Sequence, residues 1–320
     1  MKTVGVLTSG GDAPGINAAI RGVVRLANSK GFEVLGFERG WEGLLTNRFR
    51  PLTSRSVSGI IHQGGTILHT ARCPEFKKAE KVAKAAETLS SHSVEGLVVI
   101  GGDGSLRGAL ELSKKTDALV VGIPASIDND IFGTDETIGF DTAVNTAVDE
   151  IDKIRDTADS FDRIFIVEVM GRTRGFLALT VGLAAGAEMI LVPEVKYEIE
   201  KIYRTFQEAK EKGKKSAIIV AAEGIGDTRL LADELKKATG VEVRLSVLGY
   251  TQRGGNPSAR SRLLASLFAE EALELLSTGQ GSQATALQGG KITSISLEQS
   301  CKTEKPLELN LMNLAKKLSN

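Results

Sequence analysis

Short apolar runs alternate with helical stretches along this chain, and that alternation fixes the class of fold. The runs occupy residues 4–7, 33–36, 96–100, 118–123, 163–169, 216–222 and 244–248. Several are apolar nearly throughout, as strands buried on both faces are. Between them stand INAAIRGVVRLANSKG, KKAEKVAKAAETLSSH, LRGALELSKK, AVNTAVDEIDKIRDTA and FLALTVGLAAG, each with helical character. Repeated βα units predict an α/β fold of mostly parallel sheets flanked by helices. The 320 residues, 42% of them apolar, are enough for about two domains.

Folds of this class bind ligands in the turns at the carboxyl ends of strands. The turns therefore carry the functional question. The first, VLTSGGDAPGINAAIRG, has Gly10-Gly11 after a strand ending at Thr8, with Pro14 where a helix should begin. Glycines let the backbone approach a phosphate, and open N–H groups at a helix start favour an anion. It matches neither the Walker A pattern nor the dinucleotide fingerprint. The second, LVVIGGDGSLRGAL, repeats the design with Gly102, Asp103, Gly104 and Ser105. Asp103 suits magnesium, whose oxygen ligands it would share with phosphates; it also suits a helix cap.

The third stretch, GIPASIDNDI, crowds Ser126, Asp128, Asn129 and Asp130 at a strand end. One carboxylate can take a proton from a hydroxyl while the other supports a metal or its neighbour. An Asx-rich turn is the bland alternative. Further along, Arg172 and Arg174 follow a strand and Glu223 closes another. Arg244 precedes a strand, with Tyr250, Gln252 and Arg253 after it. Guanidinium groups at strand ends can clamp phosphoryl oxygens. Glycine turns, carboxylates and arginines together are the parts of phosphoryl transfer, where positioning and electrostatics do most of the catalysis.

Composition excludes other classes. Lysine plus arginine total 40, as do aspartate plus glutamate, so no basic field marks a nucleic-acid or membrane binder. The two cysteines are distant in sequence, and the three histidines lack metal-ligand spacing. A disulfide framework or structural zinc is not expected. The N-terminal MKTVGVLTSGGD reads as a strand entering a turn, not a signal segment. The expectation is a soluble protein of a reducing compartment.

The motifs GVLTSGGDAPGINAAIRGVVR, TARCPEF, VVIGGDGS, IDNDIFGTDETIGFDTA, DKIRDTA, VEVMGR, VPE, GKK and LGYTQRGGNPS, in this order, resemble the bacterial 6-phosphofructokinase family over essentially the whole chain. The resemblance implies a nucleotide domain at 1–138 plus 252–304, and a sugar-phosphate domain at 139–251 plus 305–320. It implies transfer of the ATP γ-phosphoryl to the 1-hydroxyl of fructose 6-phosphate, with Mg2+, giving ADP, in a cytoplasmic homotetramer. Asp128 matches the general base and Asp130 its support. Gly11 and Arg72 match groups around the transferring phosphoryl, and Arg172 a further stabiliser of its charge. Cys73, Gly102, Asp103, Gly104 and Ser105 complete the nucleotide and metal set. Ser126, Met170, Gly171, Glu223, Tyr250 and Arg253 fall at sugar-phosphate positions. Arg163 and Arg244 match arginines lent by a neighbouring subunit. Arg21, Arg25, Arg155, Gly186, Glu188, Lys212 and Lys214 match an effector site for ADP or phosphoenolpyruvate, with Glu188 as its magnesium ligand.

The chain also departs from the family pattern. Ala125-Ser126 replaces glycine-threonine, and Tyr250 replaces a histidine. Arg174 and Phe176 stand where small and acidic residues are commoner, and Ser54 and Gly59 where an arginine and an aspartate are. In the family, ATP users have glycine at both positions 104 and 125, whereas pyrophosphate users have aspartate and lysine. Gly104 and the small, uncharged Ala125 imply ATP. The competing readings are a pyrophosphate-dependent or broader sugar-phosphate kinase, a lipid or NAD kinase sharing GGDGS, and a weakly active regulatory paralogue.

Overall fold

The computed structural model describes residues 1–319, folded as two compact units. One comprises Met1–Thr142 with Arg253–Lys305; the other comprises Ala143–Gln252 and the chain from Pro306 on. The first begins with β1 (Thr3–Ser9), α1 (Ile16–Ser29), β2 (Glu33–Phe37), α2 (Trp41–Leu45) and β3 (Phe49–Pro51). It continues through α3 (Ala79–Ser91), β4 (Gly96–Gly101), α4 (Asp103–Ser113), β5 (Leu119–Ser126) and β6 (Ile138–Gly139). Helix α5 (Phe140–Phe161) leads into the second unit. There follow β7 (Ile164–Val169), α6 (Phe176–Ala184), β8 (Met189–Leu191), α7 (Ile199–Glu211), β9 (Ala217–Ala222), α8 (Thr228–Thr239) and β10 (Val243–Val247). The chain returns to the first unit with α9 (Ala259–Ser277), β11 (Gln283–Gln288), β12 (Lys291–Ser296) and α10 (Leu297–Lys302). It ends on α11 (Leu309–Ser319) in the second.

The first unit's sheet runs β12-β11-β5-β4-β1-β2-β3, with β6 beside β5. Its centre is parallel, and β1 and β4 are buried along their whole length. Leu97 and Val99 of β4 join a core cluster with Leu7, Phe37, Trp41 and Leu106. Val98 and Ile100, pointing the other way, are equally buried. Apolar side chains on both faces explain the unbroken apolar run. Helices α1 and α9 cross closely here because Gly22 has no side chain. A Cβ there would stand 2.6 Å from the Cβ of Ala269.

Two edges of this sheet are antiparallel, β2–β3 and β11–β12. The second is a hairpin turning on Gly289 and Gly290, both at positive φ, a two-residue loop whose twist suits paired strands. The second unit's sheet, β10-β7-β9-β8, is parallel throughout. Its core gathers Ile164, Ile166, Ile219, Ala221, Leu231 and Leu235. Among the described residues no helix is long and apolar enough to cross a membrane.

Candidate active site

In the first unit, β1, β4 and β5 lie side by side, so the turns that follow them line up. Ser9 pairs with Gly101, and Gly101 with Pro124. The turns touch through backbone. The Ser105 hydroxyl donates to the Ser9 carbonyl at 2.8 Å, and a Cβ on Gly101 would approach that carbonyl to 2.4 Å. Helix α1 begins at Ile16 rather than Pro14, because Gly15 at φ 111° ends the turn in a left-handed conformation. Helix α4 takes Gly102 as its cap, and Asp103 is its first helical residue rather than the cap. Both helices therefore start directly at glycine turns, where open N–H groups and the helix dipole favour phosphate.

Asp103 is half-exposed, and the Arg107 Nε one turn along donates to its Oδ2 at 2.9 Å. That hydrogen bond, against a smaller cost of burial, raises the Arg107 pKa. Gly104 is exposed, and a Cβ there would meet nothing within 4 Å. No cluster of three or more metal-ligating side chains exists among the described residues. An accessible carboxylate at a phosphate turn fits magnesium, which keeps several waters and shares phosphate oxygens.

Arg72 is exposed and follows a strap that is tied down at several points. The buried Asn17 donates from Nδ2 to the Gln63 and Gly64 carbonyls and accepts from the Ile67 N–H. The Thr8 hydroxyl donates to the His69 carbonyl at 2.8 Å, and the Thr70 hydroxyl to the Gly10 carbonyl at 2.7 Å. Cys73 packs against the core, and burial pushes its thiol pKa up, so it is not a ready thiolate. Arg253 donates to the Asp12 carboxylate at 2.5 Å, drawing Gly254-Gly255 toward the first turn.

The ASIDND stretch gives its asparagine a structural task. Asn129 is buried at φ 52°, a left-handed conformation that asparagine tolerates. Its Nδ2 donates to the Asp135 carbonyl at 3.1 Å, and its Oδ1 accepts from the Thr137 N–H at 3.0 Å. The Thr137 hydroxyl donates to the Ser126 carbonyl at 2.6 Å, and the Ser126 Oγ accepts from the Asp128 N–H at 3.1 Å. This staple fixes the backbone between Asp128, which is buried, and Asp130, which is half-buried. Ala125 is fully buried in β5 opposite Ile138. Asn129→Ala is expected to cost about 2–4 kcal/mol of stability, from lost hydrogen bonds and a strained left-handed alanine. Urea unfolding measures it.

In the second unit the ends of β10, β7 and β9 are adjacent, with Val169 opposite Ala222 and the Leu248 N–H on the Glu168 carbonyl. Met170, Gly171, Arg172, Glu223 and Tyr250 all follow these ends. The Arg172 N–H donates to Glu223 Oε1 at 2.6 Å, and Tyr250 is 77% exposed. The Met170 N–H donates to Gln252 Oε1 at 2.9 Å. Gln252 is wholly buried, and its Nε2 finds no partner. Sequence reasoning assigned it no role; its place beside Arg253 was the available signal. Arg174 pairs with Glu194 at 3.3 Å and lies over the Phe176 ring. Arg244 lies inside β10 rather than before it, and meets Glu242 together with Arg163.

At the other end of this sheet Glu188 is nearly buried. It accepts from Lys214 at 2.8 Å and from the Ile218 N–H at 2.6 Å, with Arg155 at 3.6 Å. Arg155 also donates to the Ala185 and Gly186 carbonyls. A cleft of about 440 Å³ opens beside Glu188, Lys212 and Lys214. Arg21 and Arg25 stand on α1 of the first unit. Ser54 donates to Asn28, and Gly59 takes a positive φ.

Residues 3–276 match the family model described as Phosphofructokinase. The chain is 49% identical, over 100% of both lengths, to a protein of Bacillus mycoides named ATP-dependent 6-phosphofructokinase. Among solved structures it resembles phosphofructokinase from Saccharomyces cerevisiae at TM-score 0.88 and 34% identity, covering all of this chain and 48% of that one. It thus spans about half the length of the yeast chain. A pyrophosphate-dependent phosphofructokinase from Marinobacter aquaeolei matches at TM-score 0.85 and 23% identity, over 97% of this chain and 86% of that one, a likeness of fold alone. The chain belongs to the phosphofructokinase family.

Proposed function

We propose that this protein is an ATP-dependent 6-phosphofructokinase. It moves the γ-phosphoryl of ATP to the 1-hydroxyl of fructose 6-phosphate, giving fructose 1,6-bisphosphate and ADP, a step of glycolysis. The observation that carries this reading is the alignment of three turns at adjacent strand ends, with Gly11, Asp103 and Asp128 on them. Full-length identity of 49% to a relative named for this activity supports it.

Asp128 acts as general base on the sugar hydroxyl, and Asp130 supports it. The turns of Gly11 and of Gly102, Gly104 and Ser105, with Arg72 and Cys73 nearby, form the nucleotide cradle. Asp103 would hold magnesium, which when bound offsets charge on the phosphates. Ser126, Met170, Gly171, Arg172, Glu223, Tyr250 and Arg253 take the sugar phosphate, with Arg163 and Arg244 supplied across a homotetramer. Arg172 also stabilises charge on the transferring group. Arg21, Arg25, Arg155, Gly186, Glu188, Lys212 and Lys214 form an effector site for ADP or phosphoenolpyruvate, in a cytoplasmic enzyme.

The test is an initial-rate matrix of donors against sugar phosphates, with and without those effectors. MgATP with fructose 6-phosphate is expected to be the fastest pair. Faster turnover with magnesium pyrophosphate would overturn the choice of donor.

A further inference from the structure

Glu242 sits between two arginines. The Nε of Arg163 donates to its Oε2 at 2.5 Å, and the Nη2 of Arg244 reaches its Oε1. Both carboxylate oxygens are thus engaged by guanidinium groups. The arrangement is built into the sheet. The Ile164 N–H donates to the Glu242 carbonyl at 3.1 Å, bringing Glu242 beside Arg163. Two residues on, Arg244 points to the same side of the strand. Arg163 is held from its other side by Phe161, whose ring centroid lies 4.3 Å from the guanidinium carbon. Burial alone would raise the Glu242 pKa, but the hydrogen bond and charge of Arg163, then those of Arg244, hold it below the usual range. The carboxylate is therefore charged at neutral pH. The side chains of Glu242 and Arg244 are both exposed, and that of Arg163 is partly so.

We infer that Glu242 is an internal counter-ion that competes with the sugar phosphate for Arg163 and Arg244. This rests on the reading of those two arginines as phosphate ligands. Two guanidinium groups against one carboxylate leave a net positive cluster, which attracts a phosphate dianion. The Nε edge of Arg163 cannot give a two-point contact to phosphate while it donates to Glu242. Binding is then an exchange of one anion for another, and Glu242 lowers affinity. It acts on the two arginines and does not touch the reacting atoms.

Removing the charge with Glu242→Gln should lower KM for fructose 6-phosphate by about two- to tenfold, the range expected for breaking exposed ion pairs. The kcat and the KM for ATP should stay within about twofold, because the 6-phosphate is held equally in the ground state and the transition state. Glu242→Asp, which restores the charge on a shorter arm, should return KM toward wild type. Melting curves of both variants control for folding. An unchanged or raised KM in a folded Glu242→Gln protein overturns the inference. Arg163→Ala and Arg244→Ala should each raise KM. If they do not, the assignment of the arginines fails; if the wild type makes no bisphosphate at all, the proposed function fails instead.

Discussion

Asp128→Asn is expected to fold normally and to lose about 10²–10⁴ in kcat with fructose 6-phosphate, the usual contribution of a positioned general base. The substitution keeps the side chain's shape, which matters because Asp128 is buried at the end of β5. The Asn129 staple and the Ser126 contact to the Asp128 N–H do not use the Asp128 side chain, so an amide at 128 leaves them in place. KM values for both substrates should move little, because proton removal belongs to the transition state. Steady-state kinetics beside a thermal melt separates lost chemistry from lost fold. A variant with wild-type kcat would remove Asp128 from the mechanism.

Gly104→Asp is expected to lower kcat/KM for ATP by roughly 10²–10³, since a like charge beside the α-phosphate costs several kcal/mol. The fold should tolerate it. A Cβ at this position meets nothing within 4 Å, and an aspartate in the first turn of α4 complements the helix dipole. Loss of ATP use with an unchanged melting temperature would then be a local electrostatic effect. Pyrophosphate use should not appear in exchange. Ala125 is fully buried and uncharged, so position 125 supplies no cation for pyrophosphate. Equal ATP kinetics in the variant would place the nucleotide elsewhere.

Most of the parallel framework was legible because strands buried on both faces are apolar almost throughout. The runs at 96–100 and 216–222 became β4 and β9 with their ends shifted by a residue or so. The β11–β12 hairpin escaped this test because its strands, QATALQ and KITSIS, mix in glutamine, threonine and serine. Its Gly-Gly turn was the better signal. The helix over 259–277 was passed over too, although Ser258 caps it by accepting from the Ser261 N–H.

The site was legible unevenly. Glycine, aspartate and serine at strand ends announced phosphate chemistry before any neighbour was known. Asn129 did not announce its role, because its partners lie six to eight residues on, in a loop with no pattern of its own. Gln252 and Glu242 were equally opaque. One acts through a buried contact to Met170, the other through two arginines, one just before β7 and one within β10. The effector residues read as helix and loop surface, since only folding brings Arg155 and Lys214 to Glu188.

The central claim is transfer of a phosphoryl group from ATP to the 1-hydroxyl of fructose 6-phosphate. Incubating the protein with magnesium, fructose 6-phosphate and ATP labelled at the γ-phosphorus tests it directly. The account predicts label on carbon 1 of fructose 1,6-bisphosphate, one equivalent per ADP formed. Label recovered only as orthophosphate, or left in ATP, would contradict it.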